Sequence, residues 1–397
     1  MSKIITNSSF VQMEFMPENR ETYISVTLFL AMTNRVLIVG GRGRIGNSVA
    51  QDLVTHTDAE ITITGRDPNG SLPPELPPDR SRYLALDLAD SAALQQAVSS
   101  SNLVVHCAGP FHYRDASVLK TCIEAGANYS DVSDSRSFTR RALELRETAK
   151  NAGITAIINT GIFPGISNSM VRRDVEQLDT AEHIHLSYVV GGSGGAGVTV
   201  MRTTFLGLQT PFEVLIDGQM QQIKPYTERE TIEFPEPYGK TGVYWFDMPE
   251  AITLPETFPV KTVVTKFGTF PDLYNHLTWF VAKYWPDSWL KNPSVIEFLS
   301  YVSYGMTAVS NNFSGVGVAV RSQVTGMKNG KPAKVRSTAV HSNAAAATGI
   351  GTGSIAQLIL EGKLTKPGVW SVEQALSTEL FERAMQSRHL KINQEWV

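Results

Sequence analysis

The stretch RVLIVGGRGRIGNSVAQDLV, running from Arg35 to Val54, decides how the chain is read. Its first six residues form a short apolar run rich in branched side chains, which suits a central parallel strand buried on both faces. The run flows into Gly41, Gly43 and Gly46, spaced as G-x-G-x-x-G. From Asn47 to Val54 the spacing is helical, with Ile45, Val49, Leu53 and Val54 near one face. In such a strand–turn–helix the first glycine makes the tight turn. The second lets a pyrophosphate approach the backbone, and the third lets helix and strand pack closely. The helix N-terminus then offers unpaired N–H groups and a positive dipole end to phosphate.

Working outward, Glu60 to Thr64 reads as a second strand, and it ends at Gly65-Arg66, twenty residues past Gly46. An acid at that place grips the 2′-hydroxyl of NAD, whereas an arginine accommodates the 2′-phosphate of NADP. Arg66, with Arg42 and Arg44 in the loop, therefore points to NADP(H) over NAD(H). Asp67 beside Arg66 either pairs with it or caps a turn before Pro68. Residues 68–80, dense in proline, form a surface loop. A third strand, Tyr83 to Leu88, brings Asp87 to its end, where it flanks an adenine or caps the helix from Ser91 to Val98. A fourth strand, Leu103 to Cys107, is followed by Ala108, Gly109 and Pro110, placed to border a ribose or nicotinamide. Further alternation follows: a helix over 115–125, a strand over 127–132, a helix over 136–151 and a strand over 154–159. This is the pattern of a doubly wound parallel sheet. The predicted cofactor-binding set is Gly41, Arg42, Gly43, Arg44, Ile45, Gly46, Arg66, Asp87, Ala108, Gly109 and Pro110.

Composition narrows the rest. The chain has 397 residues, 42% apolar and 18% charged, with 35 Lys plus Arg against 38 Asp plus Glu. A near-neutral balance gives no general claim on nucleic acid. Cys107 and Cys122 make neither a disulfide framework nor a cysteine-rich zinc site, so a reducing, cytoplasmic setting is expected and no metal. No run reaches the ~20 apolar residues of a membrane-spanning helix. The apolar run from Ile24 to Met32 follows several acids and lacks a basic start, so residues 1–33 are expected to be a short N-terminal extension rather than a targeting segment.

Past Pro164 the alternation changes. His183 to Val190 has strand period two, and Val198 to Leu208 follows as a helix after the small-residue loop Gly191 to Gly197. That loop lacks the Lys-Ser/Thr of a P-loop and reads as close-packed or as a substrate-approach loop. Hairpins are expected around Asp217-Gly218 and Asn329-Gly330. Together these predict a second α/β domain with a mixed sheet. Residues 270–304 hold Trp279, Trp285 and Trp289 with Phe280, Tyr284, Phe298, Tyr301 and Tyr304. Aromatics mixed with isolated charges suit helices covering the sheet or a dimer partner, the wall of a large apolar pocket, or a membrane surface.

The series VGGRGRIG, TITGR, VVHCAGPF, ANYSDVSD and TGIFPG resembles the saccharopine dehydrogenase (reductase)-like family. Thr348-Gly349, Gly362 and GVWSVE (Gly368 to Glu373) are similar to its C-terminal pattern. The resemblance implies a Rossmann domain, then a substrate and dimerisation domain, with C-terminal helices packing back on the first. The boundaries fall at 1–33, 34–164, 165–341 and 342–397. It also implies a homodimer and nicotinamide-dependent redox chemistry. Two departures sit where the substrate is expected. In the family's Tyr-x-Asp-x-x-Gly-Glu pattern Tyr129 and Asp131 match, but Asp134-Ser135 stands for Gly-Glu. In the crossing turn, Ile162-Phe163 stands where relatives show Phe-Asp.

Hydride transfer needs positioning and a matched proton donor. The candidates at the cofactor end of the sheet are His112, Tyr129 and Asp131, with His341 further off. The function expected is an NADP(H)-dependent oxidoreductase acting on a small or lipid-like organic substrate. The alternative is a catalytically silent NADP-binding scaffold or sensor, with peripheral membrane contact through 270–304.

Overall fold

The computed structural model describes residues 34–397 apart from 193 and 196, together with three short strands nearer the N terminus. Those strands, β1 (Ile4–Asn7), β2 (Phe10–Met13) and β3 (Val26–Leu28), pair antiparallel in the order β1-β2-β3. The rest of the expected extension over 1–33, and Ser193 and Ala196 of the small-residue loop, lie outside the described residues. Residues 35–397 make a unit of their own.

The opening stretch folds as its pattern dictates. β4 (Arg35–Val39) carries four residues in a row, Val36 to Val39, at most 1% exposed. Alternate side chains feed two cores, as strand geometry requires. Val36 and Ile38 enter a large core that continues through Leu186 and Val190 into the second half of the molecule. Leu37 and Val39 enter a smaller one with Val104, Leu119 and Tyr129. Around β4 stand β5 (Glu60–Gly65), β6 (Ser81–Ala85), β7 (Leu103–His106), β8 (Asn128–Asp131) and β9 (Thr155–Ile158), all parallel, in the order β9-β8-β7-β4-β5-β6. The order reverses between β4 and β7, which opens a crevice at their carboxyl ends.

The second half is built on β10 (Thr180–Gly191), β11 (Phe212–Ile216), β12 (Gln219–Ile223), β13 (Glu230–Glu233), β14 (Lys240–Trp245), β15 (Thr262–Phe270), β16 (Gly317–Lys328) and β17 (Lys331–His341). C-terminal to these, β18 (Gly368–Ser371) pairs with β9 as the seventh strand of the first sheet, and β19 (Ile392–Trp396) pairs with β17. The second sheet runs β13-β14-β15-β10-β16-β17-β19. Its β10–β15 pair is parallel and its other pairs are antiparallel. Both hairpins form with positive φ at Asp217-Gly218 and Asn329-Gly330, as primed turns require. The first of them, however, is a separate two-stranded sheet, β11-β12.

Three elements differ from the sequence reading. The helix expected over 136–151 is two helices, Arg136–Leu143 and Arg146–Asn151. Arg146 at the restart donates to the Val369 carbonyl of β18 and lies over the Trp370 ring, so the second piece serves the added strand. The third strand ends at Ala85, short of Asp87. The helix after it is capped by Asp90, whose Oδ1 accepts from Ala93 N, so capping falls to Asp90 and not to Asp87.

The C-terminal segment returns to the first sheet. Helix Ala344–Leu360 packs against helix Arg44–His56 so closely that a Cβ on Gly353 would meet Asp52 Oδ1 at 2.1 Å. Arg388 closes the same corner, donating from Nε and Nη2 to the buried Asp52 carboxylate. The aromatic segment forms helix Leu273–Tyr284, a short turn Asp287–Leu290 and helix Pro293–Ser314. No described helix is long and apolar enough to cross a membrane.

Candidate active site

The crevice at the carboxyl ends of β4, β5 and β7 is a cleft of about 610 Å³. Arg42, Gly43, Arg44, Ile45, Gly46, Arg66, Asp87, Ala108, Gly109 and Pro110 all line it. Gly41 alone of the predicted set lies beneath the turn, packed on Ile63. The cradle needs its glycines: a Cβ on Gly46 would stand 2.5 Å from the Gly40 carbonyl oxygen. Helix Arg44–His56 begins here with no side-chain cap and no acid in its first turn, so its N–H groups face the cleft free for an anion.

The three arginines differ in their present partners. The Arg66 guanidinium is exposed and has no hydrogen-bond or ion-pair partner among the described residues. Asp67 does not neutralise it, since its Oδ1 accepts from Asn69 N at 2.9 Å and caps the turn. Arg42 lies over the Tyr83 ring and donates to the Ser71 carbonyl. Arg44 reaches across to the second half, donating to Gly195 O (3.0 Å) and to the Tyr304 hydroxyl (3.1 Å). Asp87 Oδ1 accepts from Ala89 N, which leaves its other oxygen at the cleft edge.

Sequence reasoning missed the far wall. Thr199 and Arg202, on helix Val198–Leu206, also line the cleft. Arg202 is held by a bidentate pair with Glu297 (2.5 and 2.7 Å). Nothing local in the sequence marks these residues, because the second half delivers them across the crevice. Arg114, also in the lining, donates to Ala108 O and fixes the turn after β7.

Pro110 lines a second, smaller pocket of about 120 Å³ as well, with His112, Asp134, Arg136, Thr203 and Asp247. Burial pushes Asp134 up to about 6, against the hydrogen bond it receives from Thr203. Partial burial lowers His112, helped by Arg141 and opposed by Asp247. Arg136 pairs with Asp247 at 2.5 Å and donates to Glu213 O. The sequence flagged Asp134 only as a departure from a family pattern, and the fold brings it into one pocket with His112.

Tyr129 and Asp131 lie elsewhere. Both are fully buried at the end of β8, and neither lines the cleft or the small pocket. The Tyr129 hydroxyl meets His106 Nδ1 at 3.2 Å. Asp131 Oδ1 accepts from Ser133 N and Asn159 N. Burial holds Asp131 up at about 6, holds the Tyr129 phenol protonated and lowers His106 to about 3. They form a buried polar core that fixes the ends of β7, β8 and β9. The period-two argument placed them on one face correctly, but that face is covered by helix Arg136–Leu143 and Phe111. His341 is engaged with the Asn343 backbone.

With this geometry in hand, residues 36–157 match the family model described as the saccharopine dehydrogenase NADP binding domain. The chain carries a saccharopine dehydrogenase-type NADP-binding domain. NADP is the cofactor this domain fits, with a glycine cradle, an uncapped helix start and an arginine without a partner just past β5. The chain is 23% identical over 323 residues to carboxynorspermidine synthase of Vibrio cholerae, covering 72% of this chain and 75% of that protein. It is 32% identical over 76 residues to the human saccharopine dehydrogenase-like oxidoreductase, 19% of this chain and 18% of that one. An engineered D-amino acid dehydrogenase bound to NADP+ superposes with a TM-score of 0.47 at 14% identity, over 90% of this chain and 99% of that one.

Proposed function

We propose that the protein transfers hydride between NADP(H) and an organic substrate seated in the small pocket, with Asp134 and His112 handling the proton. The carrying observation is that Pro110 lines both the dinucleotide cleft and that pocket, so a substrate there abuts the nicotinamide end. NADP(H), when bound, supplies or accepts the hydride. Asp134, held near 6, carries a proton at mildly acidic pH and releases it near neutrality, the behaviour a general acid needs. Arg136, fixed by Asp247, presents one wall of the pocket as a rigid cationic plane. Tyr129 and Asp131 act in this reading as positioning residues behind the β7–β9 ends. Homodimer assembly and a cytoplasmic location complete the proposal, the first checked by solution mass and the second by imaging of the tagged chain.

The test is NADPH oxidation followed by absorbance, with panels of imines, carbonyls and activated alkenes and with metabolite extract. Turnover on one class establishes the reaction and names the substrate chemistry. Asp134→Asn should then lower kcat by about 10²-fold and remove the alkaline limb of its pH profile, the fall in rate above about pH 6. Tight NADPH binding with no oxidation in any panel would leave the catalytically silent scaffold.

A further inference from the structure

Helix Val198–Leu206 has a third face. Beyond Thr199 and Arg202 at the cleft and Thr203 at the small pocket, its Met201 and Phe205 close a separate cavity of about 160 Å³. Phe267 of β15, Val281 of helix Leu273–Tyr284 and Leu299 of helix Pro293–Ser314 form the other walls. No charged side chain lines it. Four of its six hydroxyls are already bound within the protein: the Thr204 hydroxyl donates to Val200 O, that of Thr307 to Tyr304 O, that of Thr269 to Asn275 Oδ1 and that of Tyr274 to Met306 O. A cavity of this size with so little polar surface favours hydrocarbon. An apolar cavity of ~150 Å³ stays dry and takes up benzene.

The way in is apolar too. Leu277, Val302 and Met306 belong both to the cavity wall and to the outer surface, at 43%, 45% and 38% exposure. The surface continues through Phe280 and Tyr284 on one helix and Phe298 and Tyr301 on the other, each more than half exposed. The charges at its edge select the ligand's other end. Glu297 and Asp272 are neutralised by Arg202 and Arg229, whereas Lys283 lies over Trp279 and Tyr284 with no carboxylate partner among the described side chains. An apolar mouth with Lys283 at its edge complements a hydrocarbon chain bearing an anionic head.

We propose that this cavity binds the hydrocarbon chain of an anionic amphiphile, entering between helices Leu273–Tyr284 and Pro293–Ser314. The site lies one helix away from the dinucleotide cleft and does not require the redox reaction to be as proposed above. A chain lodged there bears on Met201 and Phe205, and so on the helix that carries Thr199 and Arg202.

The test titrates the full-length protein with cis-parinaric acid, whose fluorescence rises on entering an apolar site, with NADPH binding measured in parallel as an independent check on folding and on the cleft. Saturable binding of one equivalent is expected. Val281→Phe and Leu299→Trp, which fill the cavity, should each weaken it at least 10-fold with NADPH affinity unchanged. Met306→Phe, at the mouth, serves if either filled variant fails to fold. Decanoate and phosphatidylserine vesicles then compete with the bound probe. Displacement by decanoate identifies a free chain as the ligand, and displacement by vesicles alone identifies a chain drawn from a bilayer. Absence of saturable binding, equal binding by the filled variants, or displacement by neither competitor overturns the proposal. Because no turnover is read, its failure is distinct from failure of the redox reading.

Discussion

The cleft and the cavity flanking helix Val198–Leu206 are opposites in their physics. The cleft is about 610 Å³, rimmed by Arg42, Arg44, Arg66, Arg114 and Arg202 and floored by backbone N–H groups. The cavity is about 160 Å³ and uncharged, with most of its hydroxyls tied to the protein's own carbonyls and side chains. One recognises a polyanion through fixed dipoles and guanidiniums. The other offers only removal of hydrocarbon from water. A single nine-residue helix serves both because its successive side chains turn about 100° apart, so Arg202 and Met201 face different spaces. The contrast teaches that charge marks one site in a sequence while the other is marked only by an excess of exposed aromatics.

The comparison can be broken on its polar side most severely at Arg388. Arg388→Ala leaves Asp52 buried without its partner beneath the cofactor-binding helix, and should reduce stability by roughly 3–5 kcal/mol, read from the urea midpoint. Gly46→Ala forces a methyl against Gly40 O and should weaken NADPH binding roughly 100-fold or more, while probe binding in the apolar cavity persists. Loss of both together would show that the two sites are not separable. Arg66→Ala sharpens the contrast further. It should weaken NADPH by about 10- to 100-fold, the worth of a charge-assisted hydrogen bond, and leave NADH unchanged in the same fluorescence titration.

The smallest effect is a pH dependence in the core between the halves. Tyr188 and Ser167 donate to Glu250 Oε1, and burial pushes that carboxyl up from 4.5 to about 7. Between those values the folded state holds a proton the unfolded state has released, so this group's contribution falls as pH rises and levels off above about 7. Glu250→Gln should therefore gain melting temperature relative to the native chain from pH 5 to pH 8, with little difference below pH 4.5. A constant difference across that range would remove the assignment.

The parallel sheet was legible because its information is local. RVLIVG followed by glycines at fixed spacing admits one geometry, and Arg66 stands where strand length and helix length put it. Asp67 left two readings open, which the hydrogen bond to Asn69 N resolved in favour of the turn. Asp134 shows the limit. Its residue type and position were visible, but its neighbours His112, Thr203 and Asp247 come from three other segments. Tyr129 and Asp131 show the converse, since their shared face was legible but not what covers it.

The sequence by itself determined the dinucleotide-binding half, the cofactor, and the two primed hairpins, because each rests on steric rules within a few residues. Only the tertiary structure decided that β18 completes the first sheet, that Arg202 and Thr199 wall the cleft, and that the aromatic helices enclose an apolar cavity. Those outcomes depend on contacts between residues more than 100 positions apart, such as Arg388 with Asp52 and Arg44 with Tyr304. No local spacing encodes them, since they follow from packing two sheets and their helices around one shared core.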